Sequence, residues 1–329
     1  MSKRRDNEKL NGIFKLLMRL TRKNKVAQTI VILAFIVLGG TTYVLNNEGK
    51  INLPVDLPTT KVEQPTDNLR YCQIDVGQGD SSLIQVNGMT VLVDAGPRSG
   101  ADEVVSHLKE HGIKTIDIAI ATHSHEDHIG GFPKVFEEFN VTRYFQADSG
   151  HSTQIYNKTV QAIKDEGIAI EKIDDNTKLD LGRGTYVDVL DDGVYDGDNL
   201  NDYSPVLHIV HGESSILLSG DAEKDVEERV LAMNRNIPDV QVMKAAHHGS
   251  DTSNSEEFIS SLDPELVLVS CGADNKYGHP HTIFQRTLSK LKIPFLRTDQ
   301  DGTIELISNG KIFEVINNNE LNIKLVEED

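Results

Sequence analysis

The chain has 329 residues, of which 33 are Lys or Arg and 51 are Asp or Glu, and its formal net charge at pH 7 is −18. This length predicts one large domain or two modest ones. The acidic balance repels phosphate backbones at long range, which argues against a broad nucleic-acid-binding surface, although a local metal site can override it. The two cysteines, Cys72 and Cys271, exclude a zinc finger and a disulfide framework and are expected to be buried thiols.

The first 68 residues precede any globular pattern. Residues 1–25 carry nine Lys or Arg against two acidic residues and predict a basic cytoplasmic tail. Residues 26–47 contain no charged residue and are just long enough to span a bilayer as a helix. The basic flank then places the N-terminus in the cytoplasm. The sequence thus predicts an uncleaved single-pass anchor in the cell membrane, with a cleaved signal peptide as the alternative. Residues 48–68 are polar and proline-containing and predict an extended extracellular linker.

Residues 69–329 predict a domain in which strands and helices interleave in two similar halves. Strands are predicted where apolar residues alternate or run together, and helices where they recur every three or four residues. The predicted strands are 70–76, 81–86, 89–93, 114–121, 141–146, 177–190, 204–211, 215–218, 240–243, 266–270 and further segments within 295–326. The predicted helices are 101–111, 132–139, 155–163, 222–234 and 283–291. This organisation favours an α/β (α+β) fold of two sheets flanked by helices.

A histidine-rich loop follows the apolar strand at 116–120. Three histidines and an aspartate, His123, His125, Asp127 and His128, lie within six residues. Histidine is the commonest metal-binding side chain, and zinc accepts mixed nitrogen and oxygen ligands. His123 and His125 are two residues apart, so in an extended segment they point the same way. Asp127 and His128 follow where the chain turns and face a second position. One loop can therefore hold two metal ions side by side.

This loop resembles the His-x-His-x-Asp-His metal motif of the metallo-β-lactamase superfamily. Within that superfamily, residues 69–324 are most similar to the lactamase-like domain of ComEC-type competence proteins. The matching segments are Asp75-Val76-Gly77-Gln78-Gly79-Asp80, Leu92-Val93-Asp94-Ala95-Gly96, Leu218-Ser219-Gly220-Asp221, Ala246-His247-His248-Gly249-Ser250 and Tyr277-Gly278-His279-Pro280-His281. The resemblance implies an αββα sandwich that binds two divalent metal ions, Zn²⁺ or Mn²⁺, and hydrolyses an ester, phosphodiester or lactam.

The resemblance also assigns metal ligands. His123 and His125 would hold the first metal, and Asp127 and His128 the second. Asp221, after a strand end and a tight glycine turn, would bridge the two ions. The alternative for Asp221 is a helix N-cap, because aspartate is favoured before the helix predicted at 222–234.

Further residues are assigned from the matching segments. One of His247 and His248 would complete the second metal, and we favour His248 because it lies next to glycine. His247 would then contact the substrate or donate a proton to the leaving group. Asp94 would orient a metal-binding histidine or cap a turn. His279 would contact the substrate or transfer a proton, with helix capping and packing as the alternative. Asp80 is interpreted either as a support for the ligands or as a turn residue. The residues predicted to be catalytic are Asp127, His247 and His279.

The sequence departs from the superfamily pattern at one ligand. Many members supply a third histidine to the first metal, and no unambiguous counterpart stands here. The segment 198–204 lies where it is expected, so Asn201 or Asp202 could contact a ligand there. The histidines that could substitute are His151, His208 and His211. Carboxylate and amide oxygens favour manganese more than histidine does.

The resemblance implies metal-assisted hydrolysis with a shared water whose pKa is lowered towards ~7. We expect a membrane-anchored extracellular hydrolase, a phosphodiesterase or nuclease linked to DNA uptake. Its expected partners are the membrane and nucleic acid or another phosphodiester. The alternatives are a phosphodiesterase directed at the cell wall or lipid, and a catalytically idle binding module, which the missing third histidine favours.

Overall fold

The structure, a computed structural model, describes residues 67–147, 153–194, 197–232 and 240–316. The strands are β1 (Leu69–Gln73), β2 (Ser82–Val86), β3 (Met89–Val93), β4 (Thr115–Ala121), β5 (Asn140–Gln146), β6 (Ile170–Lys172), β7 (Lys178–Asp180), β8 (Thr185–Asp191), β9 (Val206–His211), β10 (Ser214–Leu218), β11 (Val242–Lys244), β12 (Leu266–Val269), β13 (Phe295–Arg297), β14 (Ile304–Ser308) and β15 (Phe313–Ile316). The helices are α1 (Ala101–Glu110), α2 (Glu126–Ile129), α3 (Phe132–Glu138), α4 (Gln154–Asp165), α5 (Lys224–Ala232), α6 (Glu256–Leu262), α7 (Thr282–Leu291) and α8 (Thr298–Asp301).

The strands form two mixed sheets. The first has the order β15-β14-β1-β2-β3-β4-β5-β6, and the second has the order β13-β12-β11-β10-β9-β8-β7. In each sheet one part is antiparallel, and the other consists of parallel strands. Parallel neighbours need a crossover, and helices α1, α3, α6 and α7 supply most of these crossovers.

Alternating side chains divide the core into three layers. On β4, Ile118 and Ile120 face a cluster that both sheets share, whereas Ala119 and Ala121 face the helices outside the first sheet. Helices α5, α6 and α7 cover the second sheet with a third cluster that includes Val226, Phe258 and Leu288. This helix–sheet–sheet–helix order confirms the predicted αββα sandwich.

The predicted elements differ from the observed ones mainly at turns and short strands. The strand predicted at 177–190 is two strands, because Gly182, Arg183 and Gly184 all adopt positive φ and reverse the chain between β7 and β8. β6 was not predicted, because its three residues are short and mostly exposed and carry little apolar signal. Both cysteines are free and buried, as expected.

The predicted single-pass membrane anchor is wrong. Among the helices of the described ranges, none is both long enough and apolar enough to cross a bilayer. This finding contradicts the single-pass anchor on which the predicted localisation depends. The tail, the anchor segment 26–47 and most of the linker lie outside the described residues.

Candidate metal centre

The histidine loop begins where β4 ends, beside the end of its parallel neighbour β3. Asp94, the first residue after β3, accepts hydrogen bonds from the Thr122 backbone N–H to Oδ1 and from the Thr122 hydroxyl to Oδ2, both at 2.8 Å. These two bonds hold the start of the loop against the neighbouring strand. The short helix α2 then turns the loop, so that its ligand-bearing side chains face inwards at the strand ends, where α/β sheets commonly place their sites.

The first ligand group consists of His123, His125 and Asp221. His123 Nε2 lies 2.9 Å from His125 Nδ1 and 3.8 Å from Asp221 Oδ2. The other nitrogen of His123, Nδ1, lies 3.2 Å from the hydroxyl of Ser204. Burial, together with the neighbouring His128, lowers the pKa of His123, so that its ring is neutral and has a lone pair to offer.

The second ligand group consists of Asp127, His128, Asp221 and His248. His128 Nε2 lies 3.2 Å from Asp221 Oδ1. His248 Nε2 lies 3.3 Å from Asp127 Oδ2 and 3.7 Å from Asp221 Oδ2. Asp221 therefore belongs to both groups, and its two oxygens face different histidines.

The donor atoms of this group fit a divalent cation. His128 Nδ1 lies 2.8 Å from Asp94 Oδ2, and His248 Nδ1 lies 3.0 Å from the Ser270 carbonyl oxygen. Each ring thus donates its Nδ1 proton outwards and aims Nε2 at the centre. His128 Nε2, His248 Nε2 and Asp221 Oδ1 are buried and make no hydrogen bond to any described residue. A bound metal ion would satisfy these three atoms.

The electrostatics of the centre also favour positive charge. Burial disfavours the charged form of His128, but Asp221 and Asp94 outweigh burial and raise its pKa well above the ordinary value. In the same way, Asp221 and Asp80 overcome burial at His248 and raise its pKa to about 10. Protons on these rings therefore balance the buried carboxylates when no metal is bound, and a metal ion must displace them.

A buried ion pair that sequence reasoning missed lies behind the second ligand group. Lys244, at the end of β11, pairs with Asp80, and both are almost fully buried. Asp80 Oδ1 lies 3.4 Å from His248 Nδ1, which places Asp80 beside the ligands rather than in an exposed turn. The sequence does offer a sign of this pair: Lys244 is the one charged residue in the mostly apolar stretch 240–246. A lysine is almost never fully buried without a partner, so its position there indicates a buried acidic neighbour.

The turn that carries His247 and His248 has an unusual backbone. Both residues adopt left-handed conformations, with φ of 48° and 55°. Two such residues in succession are strained, and strain of this kind concentrates at functional sites. The turn directs His248 into the centre and leaves His247 at its edge, where Nε2 is 3.9 Å from Asp221 Oδ2 and Nδ1 is 3.3 Å from Glu223 Oε1.

An open cleft of about 240 Å³ lies beside the ligands. Its lining residues are Gln78, His125, Glu126, Asp127, Asn201, Asp221, His247, His248, Tyr277 and His279. The ring of His279 lies 5.5 Å from that of His247 and 5.9 Å from that of His248, centroid to centroid. Burial and the two histidines lower the pKa of His279 to about 4, so its ring is neutral at pH 7. Tyr277 stacks on His279 at 5.6 Å and is half exposed at the rim.

The residues considered in place of a third histidine lie at different distances from the centre. Asn201 lines the cleft, donates to Glu223 Oε1 at 2.9 Å, and has a buried Oδ1 with no hydrogen bond to a described residue. Asp202 instead accepts from the Asn199 side chain and from the Glu223 backbone. His211 lies at the opposite end of β9 from the centre, 2.8 Å from the Thr185 hydroxyl. Neither His208 nor His211 belongs to a ligand group among the described residues. His151 lies outside the described residues.

The structure thus brings together the six residues predicted to bind metal and places two further predicted residues beside them. The six are His123, His125, Asp127, His128, Asp221 and His248. His247 and His279 lie at the edge of the same cleft. Lys244 and Glu223 are the neighbours that the sequence did not single out.

Comparisons with known proteins agree with this geometry. A family model described as the metallo-beta-lactamase superfamily matches residues 74–272. ComE operon protein 3 of Bacillus subtilis is 34% identical over 250 residues, which are 70% of this chain and 32% of that protein. Competence protein ComA of Neisseria gonorrhoeae is 28% identical over 237 residues, 70% of this chain and 31% of that protein. The matched part thus spans about a third of the length of these relatives.

A solved structure shows the same fold. The metallo-beta-lactamase fold protein YhfI from Bacillus subtilis superposes with a TM-score of 0.50 over 72% of this chain and 99% of that one. The two sequences are 10% identical, so the likeness concerns the fold alone.

Proposed function

This chain belongs to the metallo-β-lactamase superfamily, and from that premise we propose that it is a two-metal phosphodiesterase that degrades nucleic acid. The observation that carries the proposal is the position of Asp221, whose oxygens lie 3.2–3.9 Å from ring nitrogens of four histidines. A carboxylate shared in this way is what a pair of adjacent cations requires. Membership of this superfamily and the similarity to competence proteins make the chain a metal-dependent hydrolase related to those proteins.

We assign the metal ligands by ligand group. His123, His125 and Asp221 would hold the first ion, and Asp127, His128, Asp221 and His248 the second. When bound, the ions would activate a water and stabilise the negative charge that develops on the substrate. The two carboxylates of the second group and the amide oxygen of Asn201 favour manganese alongside zinc.

The protein groups around the ligands have distinct tasks in this proposal. Asp94 and the Ser270 carbonyl fix the tautomers of His128 and His248, so that each presents Nε2 to the centre. Glu223 orients His247, whose Nε2 faces the cleft edge and would pass a proton to the leaving oxygen.

The cleft has features suited to a nucleotide chain. The side-chain amide nitrogen of Gln78 lies 3.4 Å from His279 Nδ1 and can only donate, so Nδ1 accepts and the proton of the neutral ring is on Nε2. Nε2 would then donate to a phosphate oxygen. Tyr277 offers a half-exposed ring at the rim, and Lys276 Nζ lies 4.9 Å from the centroid of that ring. Aromatic rings of this kind stack on the bases of single strands. The relative named as a competence protein adds support for DNA and for a role in DNA uptake.

The test is a substrate panel with the purified full-length protein. Single-stranded DNA, duplex DNA, RNA, bis(p-nitrophenyl) phosphate and a choline phosphodiester are each assayed with Mn²⁺ and with Zn²⁺. We expect turnover of single-stranded DNA with Mn²⁺. Asp127→Asn and His248→Gln should each lower the activity by more than ~100-fold, because removing only an outer partner of a metal ligand already costs up to that factor. Asp165→Asn, an exposed carboxylate at the end of α4, should retain full activity.

Two results would contradict the proposal. Less than one metal ion per chain with no turnover of any substrate would identify an idle binding module. Turnover confined to the choline phosphodiester would identify a lipid- or wall-directed enzyme.

A further inference from the structure

A second cluster of metal-binding side chains lies on the outer face of the first sheet and shares no residue with the metal centre. Cys72 of β1 stands directly opposite Glu305 of β14 in the strand register, so their side chains project to the same side. His107 lies on α1, and His111 directly follows that helix, four residues later on the same face. One ligand atom from each of the four residues lies within 4.8 Å of those of the others.

The contacts of His111 favour positive charge beside its second nitrogen, Nε2. Nδ1 lies 3.0 Å from the His107 carbonyl oxygen, which can only accept, so Nδ1 carries a proton. Nε2 lies 3.0 Å from Glu305 Oε1. A neutral ring would thus point its lone pair at a carboxylate oxygen, and a proton or a cation between the two atoms would make this arrangement favourable. Arg70 Nη1 donates to the other oxygen of Glu305 at 2.7 Å and also lies 3.4 Å from His111 Nε2, so its guanidinium supplies part of the positive charge here. Glu305 Oε1 remains available to a cation.

The remaining two ligands also suit a soft cation. His107 Nε2 is buried and makes no hydrogen bond to a described residue. Burial and the adjacent His111 lower the pKa of His107 to about 4, so its ring is neutral and can coordinate. Cys72 is fully buried, and burial with the nearby Glu305 raises the pKa of its thiol, which therefore keeps its proton until a metal ion displaces it.

We propose that Cys72, His107, His111 and Glu305 form a structural site for one thiophilic divalent cation, with zinc as the preferred ion. Zinc takes four ligands of this kind in closed structural sites, and histidines four residues apart are a common half of such a site. On binding, the Cys72 sulfur forms a bond to the ion, and its proton leaves to solvent with no change in oxidation state. The ion would tie α1 to the paired strands β1 and β14. This proposal does not depend on the hydrolase function.

The experiment uses cobalt as a spectroscopic substitute for zinc in the full-length protein. A thiolate bound to Co²⁺ gives a charge-transfer absorption in the near ultraviolet, and the ligand groups of the metal centre contain no sulfur. We expect this band to appear as cobalt is added, to saturate at the absorbance of one cobalt–thiolate site per chain, and to disappear when zinc is added. Cys72→Ser should abolish it. Cys271→Ser, which changes the other buried cysteine, should keep it, and so should Asp221→Asn.

Metal counting provides the second measurement. Zinc-loaded Cys72→Ser protein should hold one ion fewer per chain than the unaltered protein. His111→Gln, at a partly buried position, should weaken the site at least tenfold, since loss of an outer partner of a ligand already costs that much. This variant serves if Cys72→Ser does not fold. Absence of the band at saturating cobalt, or its survival in Cys72→Ser, would overturn the proposal and leave Arg70, Glu305 and His111 as an ordinary ion-pair network.

Discussion

The buried pair between Lys244 and Asp80 permits a quantitative prediction. The side chains of Lys244 and Asp80 are 2% and 4% exposed. Removing one partner of such a pair typically costs about 3–5 kcal/mol, because the other charge stays buried without compensation. We therefore expect Lys244→Met to lower the free energy of unfolding at pH 7 by about 3–5 kcal/mol.

The pH dependence follows from the same pair. Burial opposes ionisation of Asp80, but Lys244 and His248 outweigh burial and lower its pKa from 3.8 to about 2. A carboxyl group with a lowered folded-state pKa contributes stability above its unfolded pKa and loses it as the pH falls through the folded pKa. The shift corresponds to about 2–3 kcal/mol. The unaltered protein should lose this contribution between about pH 5 and pH 2, and Lys244→Met should lack that loss.

The assay is urea unfolding of metal-free protein, followed by circular dichroism in the presence of a chelator. The double variant Asp80→Asn/Lys244→Met leaves no unpaired charge and should cost less than half as much as Lys244→Met alone. Lys290→Met breaks an exposed pair with Glu256 and should cost less than about 1 kcal/mol. A Lys244→Met protein within 1 kcal/mol of the unaltered protein would refute the reasoning, since the pair would then carry no buried charge.

Three further predictions concern the metal centre. Asp94→Asn removes the carboxylate that fixes the His128 tautomer. We therefore expect the metal affinity, measured by competition with a chelator, to fall about 10–100-fold. An unchanged affinity would show that the His128 ring does not need the Asp94 carboxylate. Gly79→Ala would place a Cβ against the Asp127 carbonyl oxygen at a φ of 150°, and it should destabilise the protein by at least about 2 kcal/mol on urea unfolding. Tyr277→Ala should raise KM for single-stranded DNA, since one stacked base is worth about 1–3 kcal/mol. It should leave hydrolysis of bis(p-nitrophenyl) phosphate unchanged, and equal losses on both substrates would contradict the stacking role.

Much of the architecture could be predicted from the sequence because its periodic signals are strong. The apolar stretch at 116–120 and its neighbours predicted buried strands, and α4 and α7 began within one residue of their predicted starts. β6 could not be predicted, since three mostly exposed residues carry no periodicity and acquire their pairing only from β5. The reversal between β7 and β8 depends on three successive positive-φ residues, one of which is an arginine that gives no turn signal of its own.

For the candidate site, the sequence predicted the residue types of the ligands and the loops that carry them. It did not predict all the neighbouring residues that position these ligands. Which of His247 and His248 faces inwards depends on two left-handed conformations that no local propensity favours. The role of Lys244 depends on Asp80, which is 164 residues away in the chain and meets it only when the two sheets pack. Tertiary contacts of this kind have no local sequence signature.

The pairing of β1 with β14 has a consequence for synthesis of the chain. Leu69 and Ser308 are register partners although they are 239 positions apart in the chain. During translation β1 is therefore made long before β14, the strand that pairs with one of its edges. Until then the amide and carbonyl groups of that edge stay unpaired. A nascent chain halted before Ile304 would expose this unpaired strand edge to pairing with strands of other chains. Synthesis of β14 therefore protects the beginning of the domain from aggregation.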